Sequence, residues 1–495
     1  MSDNLKQRMF KALTWTTIDR FGQQAVQLVI GLVLARLLLP EDYGLMGMIV
    51  IFIALSSVMV DGGFGQALIR KENATQTDFS TIFFLNLAIS SFLYLILFFS
   101  APLISHFYKQ PQLVNISRVL FLSIIFYAIY FVQYVLLIKE VAFKSLAKIN
   151  IASTIVSGGI GIFLAISGAR VWALVAQQIS YHIIRLISFF IIRKWKPVFV
   201  FSFTVIKELW TFSIHLLGTS VLNVIFNNIY FVLIGKFYPL KQTGYYTQAN
   251  KLSDIVNYSF QQILQGGTFP LLVQIQDQEE RYRRVYRKMM RTISIFLFPF
   301  LFTLIIVSRP IISILLTEKW TACILLFQLL CLANLFTPFY GLNISVLNAR
   351  GESRKSLQLE LIKKGLILLS VFACFLYGIV TMLIGFVIAN YIAYGVSMLF
   401  IRKNLTYQLK QQLLDIFPSF IVSVLVSTIV FLLKGVVPSH AFLRLLLIQS
   451  TIAIAMYILI VYVFDYTLVQ KVNSFVRNRL LKNTDHEDHN EKPSL

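Results

Sequence analysis

Several charged side chains stand inside long apolar segments of this sequence, among them Arg20, Arg185, Lys251 and Asp254. A charge at the middle of a membrane costs about 2.5–3.5 kcal/mol on insertion scales, so each is by default a candidate for function. Arg20, Arg185 and Lys251 are cations, and a guanidinium binds phosphate oxygens through a bidentate fork. The residue types therefore predict a binding site for an anionic group. The candidate proton carriers are Asp254, His182 and His215.

Amide side chains continue the faces on which these charges lie. Gln23 and Gln27 follow Arg20 at spacings of three and four residues, which keeps them on one face of a helix. Asn223 and Asn227 repeat the pattern further along. Hydrogen bonding between helices, at about 0.6–2 kcal/mol per bond, explains any single one of them. The aligned set favours a water-filled cavity that is net cationic and lies between two lobes.

Simpler explanations for the charges stay open on sequence alone. Arg185, like Arg118, can reach a membrane interface with its long side chain. Lys251 can pair with Asp254, which follows three residues later on the same helical face. A histidine inside a membrane is more often a hydrogen-bonded packing residue than a proton carrier.

The elements that carry these residues are predicted membrane spans. The chain is 57% hydrophobic and only 13% charged, whereas soluble domains are nearer a quarter charged. Apolar runs of about 20 residues, the length that crosses a bilayer, recur along the chain. We therefore predict an all-α polytopic membrane protein with about 14 transmembrane helices. The predicted spans are 13–38, 43–60, 79–104, 113–137, 149–168, 171–192, 209–236, 244–273, 292–316, 322–347, 361–378, 381–401, 414–433 and 441–466.

The basic residues are unevenly distributed over the predicted loops. The formal net charge of +22 would by itself suit nucleic acid. With both termini on one side of the membrane, however, about 31 Lys and Arg residues fall on that side and about 9 on the other. The positive-inside rule explains this asymmetry. We therefore expect both termini in the cytoplasm, membrane lipids as partners, and no nucleic acid.

The two halves of the chain resemble each other. Gln23, Gln27 and Gly44 are matched 200 residues later by Asn223, Asn227 and Gly244. The run Asp61-Gly62-Gly63 is matched by Gln265-Gly266-Gly267. Such an internal repeat predicts two six-helix bundles with the same topology, related by an axis along the membrane normal. The predicted domains are an N-terminal lobe (1–207), a C-terminal lobe (208–403), an extra helix pair (404–470) and a cytoplasmic tail (471–495).

Glycine pairs occupy corresponding places in the two lobes. Gly62 and Gly63 follow the second predicted span, and Gly266 and Gly267 hold the matching place in the eighth. No GK[ST] run completes a nucleotide loop. Paired glycines permit close helix approach or bending, so we expect these four to form a gate at the inner ends of the lobes. We expect no metal site and no cofactor, and we assign the three cysteines to packing.

Three runs carry a family resemblance. They are Leu34–Gly44 (LARLLLPEDYG), Gly63–Ile69 (GFGQALI) and Phe143–Leu146 (FKSL). They resemble segments of polysaccharide flippases of the Wzx type, most like the WzxC-like branch, and the similarity extends over about residues 10–400. The resemblance implies membership of the multidrug/oligosaccharidyl-lipid/polysaccharide superfamily. It also implies the translocation of isoprenoid-diphosphate-linked oligosaccharides across a bacterial inner membrane, for lipopolysaccharide O-antigen, capsule or exopolysaccharide biosynthesis.

The same resemblance suggests site residues and partners. Related flippases carry cavity cations on helices 1, 2 and 8, and Arg20 and Lys251 fit the first and last of these. Helix 2 has no mid-membrane cation here, which leaves Arg185 or Arg118 as candidate replacements. A glycan polymerase and other assembly proteins are candidate partners.

Two other functions remain as alternatives. A MATE-like cation antiporter needs an acidic cavity, and Asp254 is the main mid-membrane acid. A membrane-embedded glycan polymerase or acyltransferase needs a converging acid, base or nucleophile, often on a large outer loop. The predicted outer loops are short, so we expect a transporter and not an enzyme.

Overall fold

The computed structural model describes residues 3–193, 195–405 and 407–432, together with residue 444 and the short stretches 447–452 and 455–457. Every regular element in these ranges is helical, in agreement with the predicted all-α class. The first eight helices are α1 (Asp3–Leu37), α2 (Pro40–Asp61), α3 (Phe64–Arg70), α4 (Gln76–Tyr108), α5 (Leu113–Lys139), α6 (Phe143–Ile166), α7 (Val171–Ile192) and α8 (Phe203–Phe237). The next eight are α9 (Leu240–Gln274), α10 (Glu279–Ile306), α11 (Ser308–Leu316), α12 (Cys323–Ala333), α13 (Thr337–Ala349), α14 (Ser353–Cys374), α15 (Ile379–Leu405) and α16 (Leu409–Leu432).

Ten segments of the described chain are long and apolar enough to cross a membrane. Two of them combine two helices each: Pro40–Arg70 contains α2 and α3, and Cys323–Ala349 contains α12 and α13. The chain is therefore a multi-pass membrane protein, as predicted.

The predicted count of about 14 spans is not reached in the described residues. The helices α1, α9 and α14 match three predicted spans, but they are not among the segments of the described chain that are long and apolar enough to cross a membrane. The remaining predicted span, 441–466, lies largely outside the described residues. The count stays a prediction. The three helices that fall short include both helices that carry the predicted cations Arg20 and Lys251.

The chain divides into two compact units. The first contains Met1–Ile255, Leu315–Phe327 and Ile367–Phe386. The second contains Val256–Ile314, Gln328–Leu366 and the described residues from Val387 onward. The lobe boundary at residue 207 was predicted from the repeat and not from compactness, and it stays a prediction.

The core of the first unit is built around α5. Leu120, Phe121 and Ile124 of this helix are fully buried in a cluster with residues of α2, α4 and α7. Two turns further on, Phe131 and Val135 of α5 join a second cluster that extends to α3 and α8. A helix that is apolar on several faces is buried on several sides. This packing fixes α5 against α7, whereas the polar helix α1 packs on α6.

Two glycines of the repeat bring α2 and α9 together at their first turns. A Cβ atom on Gly244 would overlap the carbonyl oxygen of Pro40, and one on Gly44 would overlap that of Leu240. The close approach places the start of α9 against α2, with Lys251 three turns later on the same helix.

Candidate functional site

The polar face of α1 carries Arg20, Gln23 and Gln27. Arg20 and Gln27 are exposed, and Gln23 is half-buried. The side-chain amide of Gln23 donates a hydrogen bond to the Tyr181 hydroxyl over 3.2 Å, which connects α1 to α7. The two carboxylate oxygens of the neighbouring Asp19 accept from the amide nitrogen of Asn150 over 3.1 Å each, and its charge also interacts with those of Arg20 and Arg185.

Lys251 of α9 reaches α1. A Cβ atom added to Gly31 would lie 3.1 Å from the Lys251 Nζ and 3.6 Å from its Cε, so the end of the lysine side chain rests on the glycine. One turn further along, the side-chain amide of Gln24 donates to the carbonyl oxygen of Ile255 over 3.4 Å. The polar faces of α1 and α9 therefore meet.

Lys251 and Asp254 form no ion pair within the described part of the chain. The Asp254 carboxylate instead accepts a hydrogen bond from the side-chain amide of Asn250 over 2.6 Å. Both Lys251 and Asp254 keep exposed surface. The local pair that the sequence left open as an alternative therefore does not form in this structure.

Asn223 and Asn227 lie on an exposed face of α8. The hydrogen bonds described for the first unit do not join Asn227 to Lys251 or to Arg185. The structure thus joins α7 to α1 at Gln23 and α9 to α1 at Gly31, and the predicted contribution of α8 stays a hypothesis.

Arg185 of α7 lies among aromatic rings. Its guanidinium carbon is 5.0 Å from the ring centre of Tyr130 and 5.4 Å from that of Tyr134. Tyr181 and Phe189 are 5.7 Å away. The guanidinium donates one hydrogen bond, of 3.4 Å, to the Tyr130 hydroxyl. Four ring faces around one cation stabilise its charge without neutralising it.

The three predicted site cations share one electrostatic property. Among the described residues, none of Arg20, Arg185 and Lys251 belongs to the ion pairs between basic and acidic side chains. Arg20 and Lys251 are exposed and Arg185 is half-buried, so an anionic ligand would meet charges that no acidic side chain has paired.

Other candidates from the sequence are held by local contacts. Arg118 lies 4.4 Å from the ring centre of Phe98 and donates to the carbonyl oxygen of the same residue over 3.4 Å. Nδ1 of His215 donates to the carbonyl oxygen of Thr211 over 2.7 Å, one turn back on its own helix. His182 has its Nδ1 3.0 Å from the Tyr130 hydroxyl, so it belongs to the surroundings of Arg185.

The first glycine pair forms the break between α2 and α3. Gly62 has φ +56° and Gly63 has φ +78°, a left-handed conformation that glycine adopts without steric cost. Asp61 then accepts a hydrogen bond from the Gly65 backbone N–H over 3.3 Å, near the start of α3. Gly63 also touches α8, since an added Cβ would lie 2.7 Å from the Ser213 carbonyl oxygen. The second pair, Gly266 and Gly267, lies inside the helix α9.

Charged residues join three helices beside this break. The Lys71 ammonium lies 3.1 Å from the Asp78 carboxylate at the start of α4 and 2.8 Å from the Glu208 carboxylate on α8. The hydrogen bond to Glu208 raises the pKa of Lys71 above its ordinary value. Lys139 at the end of α5 donates to the carbonyl oxygens of Leu68, over 3.0 Å, and of Lys71. Close packing at Gly63 and these charged contacts therefore hold α3, α4, α5 and α8 together beside the break.

In the second unit, Lys363 of α14 has its ammonium 4.4 Å from the ring centre of Tyr340.

Comparison with known proteins identifies the family. A family model described as polysaccharide biosynthesis protein matches residues 33–325. The teichuronic acid biosynthesis protein TuaB of Bacillus subtilis (strain 168) is 26% identical over 355 residues, which cover 71% of this chain and 73% of the relative. The lipopolysaccharide biosynthesis protein WzxC of Escherichia coli (strain K12) is 23% identical over 340 residues, with 67% and 68% covered.

A solved structure shows the same fold. The lipid II flippase MurJ, in an inward closed conformation, superposes with a TM-score of 0.75 at 17% identity, and the match covers 92% of this chain and 99% of MurJ. The family match includes Gly62, Arg185 and Lys251. The chain belongs to the polysaccharide biosynthesis protein family.

Proposed function

We propose that this protein flips isoprenoid-diphosphate-linked oligosaccharides across the bacterial inner membrane, for the biosynthesis of a surface polysaccharide. The observation that carries the proposal is the position of Lys251, whose ammonium lies against Gly31 of α1 without an acidic partner among the described residues. An ammonium so placed is available to an anionic headgroup. The names of TuaB and WzxC, and the lipid II flippase activity in the name of MurJ, support the same substrate class.

The spacing along α1 suggests how the headgroup moves. Arg20 and Gly31 are eleven residues apart, which is about 16 Å along a helix. Arg20 also leans toward the start of α1, away from Lys251, because helical side chains tilt toward the N-terminus. One diphosphate therefore cannot bind both cations at once. We infer that Arg20 binds the headgroup first and Lys251 second, with Gln23 and Gln27 between them.

The proposed mechanism is alternating access in the inner membrane, with both termini in the cytoplasm. The lipid tail remains in the bilayer while the glycan occupies the polar cavity, which Asn223 and Asn227 help to line. The lobes then rock around the bound headgroup. Gly62 and Gly63, with Gly266 and Gly267 in the second lobe, form the inner gate. Asp254 is the candidate proton carrier, and the membrane potential can also act on the bound charge.

The test replaces each cation separately. Arg20→Ala and Lys251→Ala should both cause lipid-linked oligosaccharide to accumulate on the inner leaflet and should lower surface polysaccharide by roughly tenfold or more, the effect of losing a charge-assisted contact. Lys241→Ala is the matched control, because Lys241 is exposed on the first turn of the same helix. Normal surface polysaccharide in both variants, at matched protein level, would reject the role of these cations.

A further inference from the structure

The surroundings of Arg185 are more buried on one side than on the other. Tyr130 and Phe189 are fully buried. Tyr134, Tyr181 and Arg185 itself are only partly buried, so this side of the site keeps some accessible surface. Gln23 of α1 borders the same side through its hydrogen bond to the Tyr181 hydroxyl.

The hydrogen-bonding capacity of Arg185 is largely unused. A guanidinium has five N–H donors in a planar fork. The described contacts give it one long hydrogen bond, to Tyr130. Its Nε is buried and has no hydrogen-bond partner. Ring faces attract the charge but accept hydrogen bonds poorly, so they leave these donors unsatisfied.

The nearby acids form no ion pair with Arg185 among the described residues. The Asp19 carboxylate is close enough for its charge to interact with that of Arg185, but both of its described hydrogen bonds come from Asn150. The Asp61 carboxylate accepts from the Gly65 backbone. The unused donors of Arg185 are therefore available to an anionic ligand.

The chemistry of the site favours a carboxylated sugar over a diphosphate. A carboxylate matches the planar fork with two parallel hydrogen bonds and carries a single charge, which one guanidinium neutralises. A diphosphate carries more charge and is more strongly hydrated, and the rings of Tyr134 and Tyr181 offer it no donors except their hydroxyls. A sugar ring, in contrast, presents C–H groups that are attracted to the negative face of an aromatic ring.

We propose that Arg185, with Tyr134, Tyr181 and Gln23, binds the carboxylate of an acidic sugar in the transported oligosaccharide, which rests on the proposed function. Lys251 and Arg20 then bind the diphosphate that every substrate shares, while Arg185 selects glycans that carry a carboxylate. Arg185 is in this sense a specificity-determining residue, and the substrate is an anionic repeat unit.

The experiment measures binding of two synthetic probes to the full-length protein in lipid nanodiscs. Both are isoprenyl-diphosphate trisaccharides, and they differ only in a glucuronic acid or a glucose as one sugar. The wild type should bind the glucuronate probe roughly tenfold or more tightly, because a site built for a charged group disfavours the analogue that lacks it. Arg185→Gln should bind both probes alike, with the affinity that the wild type has for the glucose probe. Lys251→Gln should weaken both probes by the same factor.

Each other outcome has a defined meaning. Equal binding of the two probes by the wild type overturns the role of Arg185 and leaves the flippase proposal intact. Binding of neither probe overturns the flippase proposal itself. If Arg185→Gln weakens both probes equally, Arg185 has a structural role only. Arg185→Lys, which keeps the charge but loses the fork, covers the case in which Arg185→Gln fails to fold, and it should reduce the preference without abolishing it.

Discussion

Lys251 of α9 rests on Gly31 of α1, with its Nζ 3.1 Å from the position of a methyl group added to the glycine. A larger residue at position 31 would occupy the space of the ammonium. The glycine therefore has a positional role: it lets a cation from the second half of the sequence lie on the polar face of the first helix. Neither Gly31 nor Lys251, considered alone in the sequence, predicts this contact.

We predict that Gly31→Leu abolishes polysaccharide export as effectively as Lys251→Ala. The leucine side chain displaces the ammonium from α1, and export should fall by roughly tenfold or more, as expected for the loss of a charge-assisted contact. Surface polysaccharide and inner-leaflet lipid-linked oligosaccharide measure the effect in cells with equal protein levels.

The control for this prediction is Gly159→Leu. Gly159 lies on α6, is exposed, and has no atom within 4 Å of an added Cβ. This variant should export normally, which separates the displacement of Lys251 from a general effect of leucine in a membrane helix. Normal export by Gly31→Leu would show that the contact between α1 and Lys251 is dispensable.

A second prediction concerns the turn at Gly63. In Gly63→Ala the new Cβ meets a left-handed backbone, which costs about 1–2 kcal/mol, and it also meets the Ser213 carbonyl oxygen at 2.7 Å. Overpacking of this kind costs about 1–3 kcal/mol more. The thermal midpoint of the detergent-solubilised protein should therefore fall, and export should be impaired.

Gly168→Ala separates these two costs. Gly168 has φ +81° and nothing within 4 Å of an added Cβ, so alanine there meets only the backbone penalty. Gly63→Ala should be the less stable of the two variants. Equal thermal midpoints of the two variants would mean that α8 can shift away from the new Cβ at no free-energy cost. The close contact of Gly63 with α8 would then not contribute to stability.

The sequence predicted the helices better than it predicted their contacts. Polar residues at spacings of three and four marked α1 and α9 as the helices of the site, and these same helices carry too little apolar character to count as ordinary spans. The spacing within one helix follows from helical geometry and is readable from the chain. The contact of Gly31 with Lys251 joins residues 220 positions apart, and no local pattern encodes it.

The surroundings of Arg185 show the same limit. Tyr181, Arg185 and Phe189 are spaced by four residues on α7, and Tyr130 and Tyr134 are spaced by four on α5. Both stripes can be read from the sequence. That they face each other depends on the packing of α5 against α7, which the burial of both helices decides. The charge was therefore predicted, and its aromatic environment was not.

A third prediction concerns the attachment of α16, which lies outside the repeat. The Asp415 side chain is fully buried and accepts hydrogen bonds from Arg287 at 2.7 and 3.1 Å, from Arg291 at 2.7 Å, and from the Tyr407 hydroxyl. Asp415→Asn should destabilise the protein by about 1–3 kcal/mol, the range for hydrogen bonds to a charged group. Breaking a fully buried pair would cost more, but both arginines keep contact with solvent.

Lys410→Gln is the control on the same helix, because Lys410 is exposed. Its thermal midpoint in detergent should match that of the wild type. If Asp415→Asn also matched the wild type, the contact would not hold α16 on α10.

A fourth prediction tests whether the helices beside Gly63 must separate during transport. Lys71 lies in the predicted N-terminal lobe, and Glu208 lies at the start of the predicted C-terminal lobe. As an exposed ion pair it contributes only about 0–1 kcal/mol, so it can open readily. A covalent link between positions 71 and 208 cannot open. Lys71→Cys with Glu208→Cys, joined by a short bis-maleimide in a Cys374→Ser background, should stop export, whereas the unlinked double variant should be active.

The ion pair between Arg193 and Glu140 supplies a matched control, because both residues lie within the predicted N-terminal lobe. A link between Arg193→Cys and Glu140→Cys should leave export unchanged, since that lobe moves as one body in the proposed mechanism. Cys323 and Cys331 are fully buried, so their reaction should not obscure either result. Export that continues with Lys71→Cys and Glu208→Cys fully linked would place the moving contact elsewhere, because a linked pair cannot part while substrate passes between the lobes.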